Sequence, residues 1–498
     1  MNKSNLFNNY KKDFPASIVV FLVALPLCLG IALASGAPLL SGVIAGIIGG
    51  IVVASFSGSA VGVSGPAAGL AVIVFHSIQD LGSFEAFLCT VVLAGVIQIL
   101  LGVFKAGVIG YYFPNAVIKG MLTGIGINIL FQQLPNAIGY VGPEHELTLS
   151  LSNITIGAVV VTAVSLLILI SWEKPFIQNN KVLKIIPGPL ATVLFGILFY
   201  VATEGHDTFG ILDSQLVALP VIHNMDEFLG TFRFPDFSVW NNPHVYTIAF
   251  TMAIVASLET LLSVEAADKM DPQKRHTPTN RELIAQGTGN IISGLIGGLP
   301  ITQVIVRSSV NVQSGGQSKL SAIFHGVLLF ICVLTIPVLL DLIPLACLAA
   351  ILLTVGYKLA RPQNFVLMYN KGVQQFLPFI VTTLGVVFTD LLEGIALGLI
   401  VSVIEVVWET MKDVVAVKQE DMQENHDGPI HIELSNQVSF LNKAQVKKAL
   451  DEVPENSQVI IDASKSKKLH ADVKEIIEDF MKGEAEHKNI QAELILAK

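Results

Sequence analysis

Apolar runs of a length set by a lipid bilayer recur from one end of this chain to the other. Ile18–Ser35 and Leu40–Ser57 open the series, and a dozen comparable stretches follow. About 20 apolar residues cross the roughly 30 Å of hydrocarbon in a membrane. In that medium backbone N–H and C=O groups must pair within the chain, which leaves helices or a closed barrel. Runs this long and continuous are helical. Only 14% of the 498 residues are charged and 52% are hydrophobic, against about 25% charged in soluble domains. The chain therefore reads as an α-helical polytopic membrane protein. The first run follows Lys11-Lys12-Asp13. It exceeds the h-region of a signal peptide and is expected to stay as a helix.

The spans fall into two sets. The first comprises Ile18–Ser35, Leu40–Ser57, Ala67–Ile78, Phe87–Val103, Ala116–Gln133, Ile154–Ile170 and Leu190–Ala202. A polar loop, Thr203–Pro243, separates it from Val245–Val264, Leu283–Gly297, Gln303–Gln313, Leu320–Leu340, Leu345–Leu359, Phe376–Phe388 and Ile395–Val407. An odd number per set gathers Lys3, Lys11, Lys12, Lys174, Lys181, Lys184, Lys269, Lys274, Arg275 and Arg281 on one side, the cytoplasmic one by the positive-inside rule, and the other side's loop Thr203–Pro243 holds the single Arg233. Both termini are then expected in the cytoplasm, the protein in the cytoplasmic membrane, and the two halves inverted, as in secondary transporters.

In each half the third segment is too short to cross. Ser64-Gly65-Pro66 opens one and Gly297-Gly298-Leu299-Pro300 precedes the other. Matched Gly/Pro-interrupted segments point to a binding site at the membrane midplane. The second carries Arg307-Ser308-Ser309, a cation where a charge costs roughly 2.5–3.5 kcal/mol on insertion scales. Its planar fork suits oxyanions, half-helix N-termini add about +0.5 charge each with free N–H groups, and the serines add hydroxyls. A structural ion pair is the competing reading of Arg307. Glu259 is the second intramembrane charge, with Ser263 one turn further on the same helix face, a plausible proton or sodium site that also could neutralise Arg307. Two half-helix ends and Arg307 against ionised Glu259 leave about +1, which balances a monoanion such as bicarbonate; loading Glu259 with a cation leaves about +2, which balances sulfate.

The remaining polar residues read blandly. Cys28, Cys89, Cys332 and Cys347 lie in apolar segments without metal spacing and read as packing residues. His76 and His325 read as packed or interfacial; Glu265, Asp268, Lys269 and Asp271 as a solvated helix end; Asp390 and Glu393 as loop charges. The net charge of −9 comes without a basic patch, so no nucleic acid is implied. No Walker sequence, strand-borne G-x-G-x-x-G, H-E-x-x-H or nucleophile triad occurs, which argues against an ATP-driven pump and against an enzyme. After Trp408, Lys412–Asp427 reads as a charged helical extension. Ile430–Ser435 alternates as a strand, Lys443–Asp451 forms a helix, Val459–Asp462 a buried strand and Ala471–Lys482 a second helix. This βαβα order gives a small cytoplasmic α/β domain. The expected division is an N-terminal segment 1–16, a membrane domain 17–416 with repeats 17–203 and 244–416, and a linker with the α/β domain over 417–498.

Several motifs in order resemble the SulP (sulfate permease) family of anion transporters. They are Leu25-Pro26 through Gly36, Val63-Ser64-Gly65-Pro66-Ala67-Ala68-Gly69, Asn280-Arg281-Glu282 through Asn290, and Arg307-Ser308-Ser309-Val310-Asn311 with Ser314-Gly315-Gly316. The tail, with Val438–Asn442 and Ile461-Asp462-Ala463-Ser464, resembles a short STAS domain. The resemblance covers essentially the whole chain. It implies a 7+7 inverted repeat with core and gate domains, elevator-type alternating access, a homodimer in the lipid bilayer and no cofactor. The anion would lie between the half-helices, near Gly65, Ala67, Ala68, Val306, Arg307, Ser308 and Ser309. In bicarbonate-transporting members a carboxylate and a hydroxyl on the eighth helix, with a threonine after the Gly-Pro, bind sodium. Glu259 and Ser263 stand at the first two places and Ala67 at the third, which shifts weight from sodium to protons. The STAS loop after Asp462 has no serine at the place where related soluble domains are phosphorylated; Ser464 and Ser466 lie earlier.

The expected function is secondary active transport of small inorganic oxyanions, bicarbonate or sulfate, coupled to protons or sodium. A dicarboxylate transporter, a passive anion channel and a STAS-based membrane anion sensor are the alternatives.

Overall fold

The computed structural model describes residues 9–111, 113–141, 153–179, 186–219, 230–389, 391–412, 415–417, 429–466 and 468–496. Two compact units result, Met1–Gly372 with Phe379–Leu397, and Val373–Pro378 with Gly398–Lys498.

The helices of the first repeat are α1 (Tyr10–Ala34), α2 (Leu39–Phe56), α3 (Ala68–Leu81), α4 (Phe84–Val103), α5 (Asn115–Ile138), α6 (Ile156–Trp172) and α7 (Gly188–Thr203). The second repeat has α8 (Pro243–Met270), α9 (Thr279–Leu295), α10 (Ile305–Gln313), α11 (Leu320–Thr335), α12 (Leu345–Leu359), α13 (Val373–Phe388) and α14 (Leu391–Lys412). Among the described residues seven helices are long and apolar enough to cross a membrane, and further apolar helices are shorter. Short strands β1 (Ser64–Pro66) and β2 (Ile301–Gln303) precede α3 and α10, and they pair antiparallel, Gly65 opposite Thr302. Antiparallel strands send the following half-helices in opposite directions, which gives the inverted 7+7 architecture at its centre.

Why the strands form there is a matter of backbone accounting. Unpaired peptide groups cannot remain in an apolar interior, and the proline and glycines deny this stretch a continuous helix. The polar side chains of α9 complete the pairing. Asn290 Oδ1 accepts from the Ile301 amide (2.6 Å) and its Nδ2 donates to the Ile301 carbonyl (3.1 Å). Gln286 donates to Ser64 Oγ at 2.8 Å. Gln286 and Asn290 of the Asn280–Asn290 motif thus brace the crossing.

Elsewhere the structure departs from the sequence reading in ways that have causes. α1 begins at Tyr10, earlier than expected, because Asp13 is fully buried and accepts from the amides of Gln317 (2.7 Å) and Ser318 (3.0 Å) and from the Ser318 hydroxyl. Asp271 is no solvated helix-end charge: it is buried and paired with Arg275 Nε at 2.7 Å, and Asp268 accepts from Thr277. Glu393 lies in the first turn of α14 instead of a loop, and Asp390 is outside the described residues.

The second unit carries β3 (Val415–Val417), β4 (Ile430–Leu434), β5 (Gln437–Val438), α15 (Lys443–Asp451), β6 (Gln458–Ala463), β7 (Lys468–Leu469), α16 (Ala471–Asp479) and β8 (Gln491–Leu496). The main sheet has the order β3-β4-β6-β8, with β4-β6-β8 parallel and β3 antiparallel at its edge. β3 replaces the helix expected over Lys412–Asp427, of which 413–414 and 418–427 are outside the described residues. The apolar Val415-Ala416-Val417 pairs with β4 because that edge would otherwise be open. Buried Ile432, Leu434, Val459, Ile461, Val473, Ile477 and Phe480 fill the core beneath the helices. This small α/β unit fits a STAS domain.

Candidate functional site

The largest fully buried side chain among the described residues belongs to Arg307, in the first turn of α10. Its Nη2 donates to Cys28 Sγ on α1 at 3.4 Å, and Nε and Nη1 have no protein partner. None of the ion pairs among the described residues includes Arg307. A structural ion pair was the competing reading of this residue, and the geometry does not contain one. A thiol is a weak acceptor, so the charge is left with two unused donors.

Gly65 is what admits the guanidinium. A Cβ built there would come 2.0 Å from Arg307 Nη1. Gly46 on α2 lines the same space, where a Cβ would meet Cys28 Sγ at 2.7 Å. The guanidinium is therefore wedged between the β1 backbone, α2 and α1. His325 on α11 is fully buried with both ring nitrogens lacking protein partners.

Ser308 plays a different part from the one sequence suggests. Its Oγ accepts from the Val63 amide (3.0 Å) and donates to the Val304 carbonyl (2.8 Å), while the Val304 amide donates to the Val63 carbonyl (3.0 Å). Both hydroxyl functions are used in fastening the start of α10 to the segment before β1. Ser309 is partly buried and accepts from Gln313 at 2.8 Å. Val306 is 48% exposed, on another side of the half-helix from the buried Arg307. Ala67 caps α3 in an extended conformation and is buried; Ala68 begins the helix and is partly buried. Thus Gly65 and Arg307 come together directly, with Ser308 as their brace.

Glu259, on α8, is partly buried, and no hydrogen bond joins it to Ser263, which is buried one turn on. Its carboxylate lies on the first turn of α3: a Cβ on Gly69 would come 2.8 Å from Oε2 and 2.9 Å from Oε1, and Oε2 has no protein partner. Glu259 does not neutralise Arg307 by contact. The two charges approach the crossing from different sides, Arg307 over Gly65 and Glu259 over Gly69. No three His, Cys, Asp or Glu among the described residues are grouped to hold a metal ion.

Sequence alone reads Cys28 as a packing residue, gives Gly69 no role beyond its place in a motif, and does not mark Gly46. Cys28 and Gly69 stand inside the first- and third-segment motifs, where their small size was legible but their neighbour across the fold was not.

The model of the sulfate permease family matches residues 10–382. The chain belongs to that family. It is a family of transporters, not of enzymes, and with the apolar helices it makes this a multi-pass membrane protein whose relatives include sulfate and bicarbonate transporters. "Putative sulfate transporter YvdB" of Bacillus subtilis is 30% identical over 403 residues, 79% of this chain and 73% of its own. The bicarbonate transporter BicA of Picosynechococcus is 27% identical over 407 residues, 76% of this chain and 69% of its own. Among solved structures, the transmembrane domain of a cyanobacterial BicA is similar at a TM-score of 0.66 and 24% identity, covering 78% of this chain and 98% of that one. Murine Slc26a9, an anion transporter captured facing inward, is similar at 0.76 and 16% identity, covering 99% and 86%. These two likenesses bear on fold.

In the α/β unit, Ser466 is buried and its hydroxyl donates to the Ser435 carbonyl at 2.7 Å. The Ser464 amide donates to Asp462 Oδ1 at 2.8 Å, and hydrogen bonds from Ser464 hold the Asp462 carboxyl below the usual aspartate range.

Proposed function

We propose that this protein is a secondary active transporter of small inorganic oxyanions, bicarbonate or sulfate, across the cytoplasmic membrane. The observation that carries the reading is the buried Arg307 guanidinium, with two unused donors and no carboxylate beside it. A buried charge without a partner is costly, and an anion delivered by transport is the partner that removes the cost. The N-termini of α3 and α10 converge on the same region and add their dipoles and free amides. The relatives named as sulfate and bicarbonate transporters support the same substrate class.

The anion binds between Ala67-Ala68 at the start of α3 and Val306-Arg307 with Ser309 at the start of α10. Gly65 makes room for the arginine and Ser308 holds the half-helix in place. Glu259 is the coupling group and takes a proton; Ala67 leaves the site without the hydroxyl that sodium would need beside Glu259 and Ser263, so sodium coupling is the second reading. Transport proceeds by elevator-type alternating access in a homodimer, with both termini cytoplasmic. The membrane domain spans 17–416, and the STAS-like domain, 417–498 with its linker, supports assembly.

Purified protein in liposomes tests this. Labelled bicarbonate or sulfate enters vesicles bearing the parent protein and fails to enter those bearing Arg307→Ala at equal density. Equal uptake by the variant removes the assignment.

A further inference from the structure

A cavity of about 550 Å³ opens between α3, α5, α8 and the α13–α14 turn. Its lining follows one face of two helices. On α8 the residues are His244, Thr247, Ile248 and Thr251, and on α3 they include Asp80, His76, Ile73, Val72 and Gly69, with Phe75 and Ser77 flanking His76. On α8 the spacings of three and four residues keep the set on one stripe, and on α3 they link Gly69, Val72, Ile73, His76 and Asp80 in the same way. Exposure falls along both stripes, from His244, Thr247, His76 and Asp80, which are exposed, to Thr251, Ile73 and Gly69, which are buried. At the buried end of the α3 stripe, Gly69 is where an added Cβ would come 2.8 Å from the unpartnered Glu259 Oε2. A second cavity of about 540 Å³ surrounds the opposite end of α8, near Glu265, Asp268 and Lys269, and no α3 residue lines it.

We infer that the furrow between α3 and α8 delivers the coupling proton to Glu259 from the non-cytoplasmic side, with His76 as its relay. This rests on the transport reading above and adds a route and a side to it. The His244 end of α8 follows the loop 203–243, placed outside by the distribution of basic residues. The ionisable groups facing the furrow are His76 and Asp80 from α3 and His244 from α8; α5 contributes the neutral Asn128 and Gln132, and the turn after α13 contributes Thr389. An imidazole can take a proton at one nitrogen and give one up at the other. The proton passes from solvent to His76, then through water along the furrow and past Gly69 to the Glu259 carboxylate. His76 then regains a proton from the outer solution, so no charge is left behind.

Two measurements decide it. In the first, Thr251→Cys is labelled with a membrane-impermeant thiol reagent applied to either face of oriented membranes. The four native cysteines are buried, and the parent serves as the background. Labelling from the outer face alone is expected; labelling only from the cytoplasmic face overturns the route. This readout needs no transport, so its failure is separate from failure of the anion reading. In the second, His76→Gln is reconstituted. Proton-driven uptake of labelled sulfate falls roughly tenfold or more, while sulfate exchange at equal pH on both sides is unchanged. His76 is exposed and its ring contact among the described residues is an edge contact with Phe75, so the fold survives the change. Equal losses in both modes, or none in the driven mode, overturn the relay.

Discussion

Replacing Arg307 with methionine separates the anion site from a structural role. In the fold without anion the guanidinium spends one hydrogen bond on the Cys28 thiol and leaves Nε and Nη1 unused. Methionine keeps much of the length and removes the charge. Exchanging a buried charge for a well-packed apolar group is neutral or stabilising, whereas breaking a buried ion pair costs about 3–5 kcal/mol. The apo variant is therefore expected to melt at or above the parent temperature. Anion binding behaves oppositely. Each charge-assisted hydrogen bond contributes about 1.5–3 kcal/mol, so losing two removes about 3–6 kcal/mol, or roughly two to four decades of affinity. The assay is thermal unfolding in detergent over a sulfate or bicarbonate titration. The parent gains stability with anion and Arg307→Met does not. An apo variant destabilised by about 3–5 kcal/mol with an intact anion-dependent shift would refute the reasoning.

Three further outcomes follow from particular contacts. Ser308→Ala leaves the buried Val63 amide without its acceptor and costs about 1–3 kcal/mol of stability, read as a lower melting temperature, with uptake falling through loss of folded protein. Gly69→Ala places a methyl group 2.8 Å from Glu259 Oε2, so it alters the dependence of uptake on the ion gradient more than the anion's apparent affinity; the opposite pattern counts against Glu259 as the coupling group. At Asp271 burial pushes the carboxyl up, but hydrogen bonds from the Arg275 side chain and the Gln273 amide outweigh it and leave the group below the usual aspartate range. Its contribution is present above about pH 4 and lost as pH falls through the lower folded value, so the parent's melting temperature drops more steeply on acidification than that of Asp271→Asn.

Membrane segments, the inversion of the halves and the two interrupted third segments were legible because each is written in local sequence. Hydrocarbon thickness dictates run length, and Pro66, Pro300 and the glycines beside them forbid a through-going helix. The α/β tail was legible in its middle, where Ile430–Ser435 and Val459–Asp462 alternate or run apolar. Its edge strands were not: Val415–Val417 is three residues long, and Gln491–Leu496 becomes a strand only by pairing with β6. Within the site, Arg307 and Glu259 declared themselves by cost alone. Their neighbours did not, because Cys28 reaches Arg307 from 279 positions away. Ser308 looked like a ligand for the same reason: its role as a brace depends on Val63, a long-range backbone partner that no local pattern encodes.

The most direct test of the central claim is uptake of labelled sulfate and bicarbonate into proteoliposomes under separately imposed proton and sodium gradients, for the parent and Glu259→Gln. The expected result is oxyanion uptake driven by a proton gradient in the parent, and uptake insensitive to that gradient in the variant. A variant that keeps the parent's gradient dependence, or a parent that moves neither anion under either gradient, contradicts it.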